Sequence, residues 1–220
     1  MRRSLFAGCV AVLGLCLALA PVRAQTKHSK KTPKEVPFSE AEMRHAPGDT
    51  VAVVDGVVIT FQDFNSIMAG YLKTFVARTN NNLVTDSLYT VIVDSAWDRA
   101  VSDIVIEQAI AKQRVEMNDR EVKDSLVHNP PDFLRSQFSD SLGHFRPEIM
   151  RQAMDDPRND SIVRVIVEGE RERLETERLA ERVAPKARTP AERERMFDAW
   201  LRHAKLTAHI DDRRTRFGFY

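Results

Sequence analysis

Cysteine is nearly absent from this chain. Both cysteines, Cys9 and Cys16, lie within the first 24 residues and none follows. The remainder forms no disulfide of its own and performs no thiol chemistry, so any fold rests on its core alone. Glycine is scarce at eight residues, and three of them, Gly8, Gly14 and Gly48, precede the patterned part of the chain. A Gly-rich phosphate loop is thereby excluded, and neither G-x-S-x-G nor H-E-x-x-H occurs. The six histidines (His28, His45, His128, His144, His203, His209) have no ligand-like spacing. The run Asp155–Asp160 resembles a calcium loop in composition only, lacking alternate ligands, a central glycine and a closing glutamate. Charge of one sign is also missing. The 33 basic and 32 acidic residues balance at +1, and without Arg2, Arg3 and Arg23 the balance is −2. No strong field draws the chain to nucleic acid or anionic lipid. The residues point to no catalytic group, no metal site and no cofactor.

What is present begins with an address. Arg2 and Arg3 precede the apolar run Leu5–Ala20, and Pro21-Val22-Arg23-Ala24 offers small residues at the cleavage positions. The run is shorter than the ~20 residues a spanning helix needs. We read 1–24 as a secretory signal peptide cleaved after Ala24, with lipid anchoring on Cys9 or Cys16 as the rival, and expect a periplasmic protein with no stable membrane insertion. Residues 25–48 are polar, with scattered Lys and Pro, and read as a disordered leader. The folded domain is expected over 49–211, with a tail at 212–220.

That domain reads as mainly α. Val51–Val54 and Val57–Ile59 flank Asp55-Gly56, a hairpin turn signal. Thr60 with Asp63 is a capping box, opening a helix over Phe61–Arg78. A long helix runs from about Asp86 to Glu116 with a broad apolar stripe. Asn118 with Glu121 caps a helix over Asp119–Val127. Asp132–Phe138 and Pro147–Met154 are short helices on either side of a turn around Gly143. The helix Asp160–Val183 is apolar at Ile162, Val163, Ile166 and Val167; its second half is nearly all Glu and Arg and is expected to project into solvent. Thr189 with Glu192 caps a last helix to about His203. Leu206, Ala208 and Ile210 then alternate at strand period, predicting a strand over Lys205–Ile210 beside Val51–Val54. A lone hairpin is marginal in water, so this strand would complete a small sheet joining the N- and C-terminal segments.

Apolar residues are crowded into the short helices: Phe133, Leu134, Phe138, Leu142, Phe145, Ile149, Met150 and Met154. Short helices bury little, so part of this set is expected to form an adaptable apolar surface. The alternative is that it seals the core. Phe64, Met68 and Phe75 offer a second candidate groove.

The string V-A-V-V-D-G-V-V-I-T-x-x-D-F at 51–64, followed by a helix, resembles the opening of the SurA, PpiD and PrsA family of periplasmic chaperones. So do the long helix leading through Ala109 and Gln113 into Met117-Asn118-Asp119-Arg120-Glu121-Val122, and the segment Pro131-Asp132-Phe133…Phe138…Gly143-x-Phe145. Trp200-Leu201-Arg202-x-Ala204-x-Leu206-x-Ala208-x-Ile210 is similar to the family's closing helix and strand. The resemblance spans about Val51–Ile210. It implies a SurA N-terminal-like fold and ATP-independent holding of unfolded exported polypeptides, outer-membrane proteins foremost. The peptide-binding candidates are then Phe133, Phe138, Phe145, Ile149, Met150 and Met154, with Phe64, Met68 and Phe75. The chain departs from the family where parvulin isomerase domains sit, between the charged helix and the closing helix; only the break around Val183–Thr189 stands there. A peptidyl-prolyl isomerase or its subunit is one alternative reading, and a helical adaptor of the cell envelope another. Homodimerisation is left open.

Overall fold

The computed structural model describes residues 45–79 and 84–219. The expected signal peptide and the leader as far as residue 44 lie outside the described residues. The rest is mainly helical with one small antiparallel sheet, as the patterning predicts. It falls into two compact units: residues 45–101 with 209–219, and Ser102–Ala208.

The first unit is built on the sheet. β1 (Thr50–Val54) and β2 (Val57–Thr60) are joined by Asp55 and Gly56, whose φ angles of 46° and 84° are the left-handed pair that a two-residue hairpin turn requires. β3 (Ile210–Asp212) pairs antiparallel with the other side of β1, matching Val54 with Ile210 and Ala52 with Asp212, so the order is β2-β1-β3. The turn is clamped as well. The Asp55 N–H donates to the His209 carbonyl at 2.8 Å, and the His209 N–H donates to Asp55 Oδ1 at 2.7 Å. The Thr60–Asp63 box closes reciprocally at 3.2 Å each way and starts α1 (Phe61–Thr79). Val51, Val54, Phe61, Phe64 and Met68 are buried in this unit, together with Ile92, Val93 and Ala96 from α2 (Asp86–Gln113), whose residues to Val101 belong here.

Two expectations about the C-terminal end are corrected. The predicted strand Lys205–Ile210 starts later, because helix continues to Thr207, whose hydroxyl bonds back to the His203 and Ala204 carbonyls at 3.2 and 3.0 Å. Ala204, Lys205 and Leu206 are good helix formers, and helical growth overrides a three-position alternation. The segment read as a tail is also part of the fold. Arg214–Phe217 is a 3₁₀ turn ended by Gly218 at φ 72°, and it sends Phe219, 3 % exposed, into the core. The Phe219 ring lies 4.9 Å from Phe64 and 6.0 Å from Phe61. Arg214 stacks 4.0 Å over the Trp97 ring and pairs with Asp212 at 2.8 Å. His45, at the end of the expected leader, sits 4.5 Å from Phe217.

The second unit is helical apart from its links. Its elements are the remainder of α2, then α3 (Asp119–His128), α4 (Asp132–Gln137), α5 (Pro147–Asp155), α6 (Asp160–Val183) and α7 (Pro190–Thr207). The Asn118–Glu121 capping box forms in both directions, at 2.9 and 3.1 Å. The second half of α6 projects into solvent on one side only, where Glu172, Arg173, Glu177, Arg178, Glu181 and Arg182 are exposed. Glu170, Glu175 and Leu179 are buried there. Glu170 is gripped by Arg173 at 2.6 and 2.8 Å and accepts the Ser125 hydroxyl at 3.0 Å, while Glu175 accepts the Met117 N–H at 2.9 Å. Arg171 pairs with Asp119, and Arg178 with Glu121 at 3.2 Å. Glu170, Arg171, Glu175 and Arg178 therefore form a ladder to α3 and the link before it, while the outer charges stay in solvent with Arg173 paired to Glu177. Glu170 holds the Arg173 guanidinium above its ordinary value. Near the far end of α6, Leu179 joins Ile110 and Val115, with Phe197 and Trp200 of α7 packed against them.

Candidate functional site

The candidate surface belongs to the helical unit and is raised on a closed apolar floor. Val122, Leu126 and Val127 of α3, Leu134 of α4, Met150 and Met154 of α5 and Val167 of α6 form one buried cluster. Phe138 and Phe145 are half-buried against its side. Between them the chain makes a tight turn. Ser139 and Phe145 form an antiparallel bridge, the Arg146 N–H donates to the Phe138 carbonyl at 2.8 Å, and Gly143 takes φ 82°. That positive φ is why glycine stands there.

Asp140 organises the turn. Its Oδ1 accepts the N–H groups of Leu142 at 2.9 Å and His144 at 3.0 Å, and Arg146 approaches Oδ2 at 3.5 Å. The His144 N–H above all, aided by that of Leu142 and by Arg146, holds the Asp140 carboxyl below its ordinary value. Because its folded pKa is depressed, the contribution of this carboxylate is complete at neutral pH and is lost as pH falls below about 4. Asp140→Ala is expected to speed hydrogen exchange at the Leu142 and His144 amides while leaving α3 unchanged. Unaltered protection at both amides would show that the carboxylate does not hold the turn.

The apolar residues proposed from sequence divide sharply here. Phe133 (53 % exposed) and Ile149 (47 %) stand on the outside, and so does Leu142 (79 %) at the turn. Met150 and Met154 lie beneath, at 1 % and 9 %, and form floor rather than contact surface. Residues 149 and 150 are neighbours, yet a helix turns about 100° per residue and so gives them opposite environments. In the sheet unit, Phe64 and Met68 are also closed off, with Phe75 half-buried near the end of α1, so no open groove of that unit is lined by Phe64 and Met68.

Sequence reasoning missed two exposed residues on α6. Ile162 and Val165 are 63 % and 55 % exposed, three apart on one face. The signal was available in the run Ile162-Val163-Arg164-Val165-Ile166-Val167, since five β-branched apolar residues in six cover more of a helix than one packed face hides.

Among the described residues no group of three or more His, Cys, Asp or Glu comes together as a metal would require. No described helix is long and apolar enough to cross a membrane. What the surface offers is flexible and branched apolar side chains on short, well-anchored segments.

The profile of a family described as the SurA-like N-terminal domain matches residues 37–154, from ahead of β1 to the last turn of α5. No curated protein and no solved structure matches the chain.

Proposed function

We propose that this chain, which belongs to the SurA-like N-terminal domain family, is an ATP-independent holdase that keeps unfolded exported polypeptides, outer-membrane proteins among them, from aggregating in the periplasm. The family is of chaperone type, and the client class, mechanism and compartment are the reading added here. The compartment rests on the cleavable signal pattern of residues 1–24. The mechanism rests on a single structural observation. Phe133, Leu142 and Ile149 remain exposed over a core already sealed by Leu134, Met150 and Met154. The outer set is therefore dispensable for folding and available to a partner. Apolar contacts are non-directional, so one such surface accepts many extended segments, and weak distributed contacts let them go without nucleotide hydrolysis.

The variant Phe133→Ser/Leu142→Ser/Ile149→Ser tests this. Each substitution sits at an exposed position, where changes usually cost within about ±0.5 kcal/mol. The triple variant is expected to melt close to the wild type and to lose most suppression of light scattering by a denatured outer-membrane protein diluted into buffer. Full suppression by a normally folded triple variant would remove this surface from the mechanism.

A further inference from the structure

A second surface of the helical unit carries different chemistry. The link after α6 and the first turns of α7 frame an open depression of about 500 Å³, edged by Lys186, Arg188, Glu192, Arg195, Met196 and Ala199. Its shape is set from below. Ala184 is 2 % exposed, and the Ala187 N–H donates to the Ala184 carbonyl at 3.1 Å. Thr189 Oγ1 accepts the Glu192 N–H at 3.1 Å and starts α7.

The charges around it do not balance. Three cations face one carboxylate, and that carboxylate is engaged: Glu192 Oε2 accepts the Arg188 backbone N–H at 2.7 Å. Arg195 is steered by its Nε, which donates to the Ala191 carbonyl at 3.3 Å and leaves the terminal nitrogens over. Among the described residues none of Lys186, Arg188 and Arg195 has an ion-pair partner, whereas the adjacent Arg193 pairs with Glu181 at 3.4 Å. Amid these cations Met196 is 40 % exposed beside Ala199. Guanidinium groups bind carboxylates in a two-pronged geometry, and a half-open methionine adapts to an apolar side chain.

We propose that this depression docks an acidic polypeptide segment in which an apolar residue lies between carboxylates, the apolar side chain meeting Met196 and the carboxylates meeting Arg188, Arg195 and Lys186. Charge complementarity selects such a segment over a basic or purely apolar one. The surface shares no residue with Phe133, Leu142 and Ile149, so it is separate from the holding surface.

The test is fluorescence anisotropy on the full chain with a labelled peptide alternating leucine with aspartate and glutamate. Saturable binding is expected, weakening with added salt and falling about tenfold or more in Arg188→Glu/Arg195→Glu, a change of ~1.4 kcal/mol or more. Met196→Ser is expected to weaken it without altering the salt dependence. If the charge-reversed protein melts early, Arg188→Gln/Arg195→Gln replaces it, with a smaller loss expected. Aggregation suppression by these variants stays at the wild-type level, so failure here is distinguishable from failure of the holdase reading. No saturable binding to the wild type overturns the proposal. So does equal binding of a lysine-for-acid peptide, or binding that survives both double variants. Capture by anionic phospholipid vesicles with no peptide binding would assign the surface to membranes instead.

Discussion

Deleting residues 209–219 is expected to unfold the sheet unit, not merely to trim it. The deletion removes β3, leaving β1 paired on one side only, and a two-stranded hairpin is marginal in water. It also withdraws both hydrogen bonds between Asp55 and His209 and the Arg213 N–H that donates to the Val51 carbonyl at 2.9 Å. Above all it takes Phe219 from between Phe61 and Phe64. A point substitution isolates that last term. Phe219→Ala is expected to cost about 3–5 kcal/mol, the usual range for a buried phenylalanine cut to alanine. Arg216→Ala, at an exposed position of the same 3₁₀ turn, is expected to change stability by no more than about 0.5 kcal/mol. Thermal and urea melts followed by circular dichroism read all three. A Phe219→Ala melt superimposable on the wild type would mean that the C-terminal closure does not hold this unit together.

Met150→Ala is the second large effect. Met150 is 1 % exposed inside the cluster with Leu126, Leu134 and Val167, so truncation leaves a cavity beneath α5 at an expected cost of about 2–5 kcal/mol. Ile149→Ala, one residue away and 47 % exposed, is expected to stay within about 0.5–1 kcal/mol. The contrast matters for function. A Met150 variant that suppresses aggregation poorly has lost its fold, and only the Ile149 variant reports on the surface. Equal melting of the two would contradict the assignment of Met150 to the floor.

These effects mark where local chemistry ends. Asp55-Gly56, Thr60 with Asp63, Asn118 with Glu121, and Pro147 at the start of α5 are all where the sequence places them. Each is settled by groups within four residues, through a backbone angle, a cap or a missing N–H. Thr189 also caps α7, though Glu192 reaches back to Arg188 rather than to Thr189. The same reading saw only the outer side of the second half of α6. Ten charges in fifteen residues look like a solvated face, but the fate of Glu170, Arg171, Glu175 and Arg178 depends on Asp119, Glu121, Ser125 and the Met117 N–H, roughly fifty residues earlier in the chain.

The candidate surface divides along the same line. That residues 133–154 hold more apolar side chains than short helices bury was readable from composition and spacing. Which of them stay outside was not, because Ile149 and Met150 differ only in the direction each faces once α3 and α6 have packed beneath α5. By itself, then, the sequence determined the helices, their starts, the hairpin and the apolar excess, since these follow from neighbours along the chain. Tertiary structure alone decided that Phe219 closes the sheet unit, that α6 uses its charges to grip α3, and that Phe133, Leu142 and Ile149 remain open. Each of those outcomes depends on groups distant in sequence meeting in space, where burial and pairing outweigh local propensity.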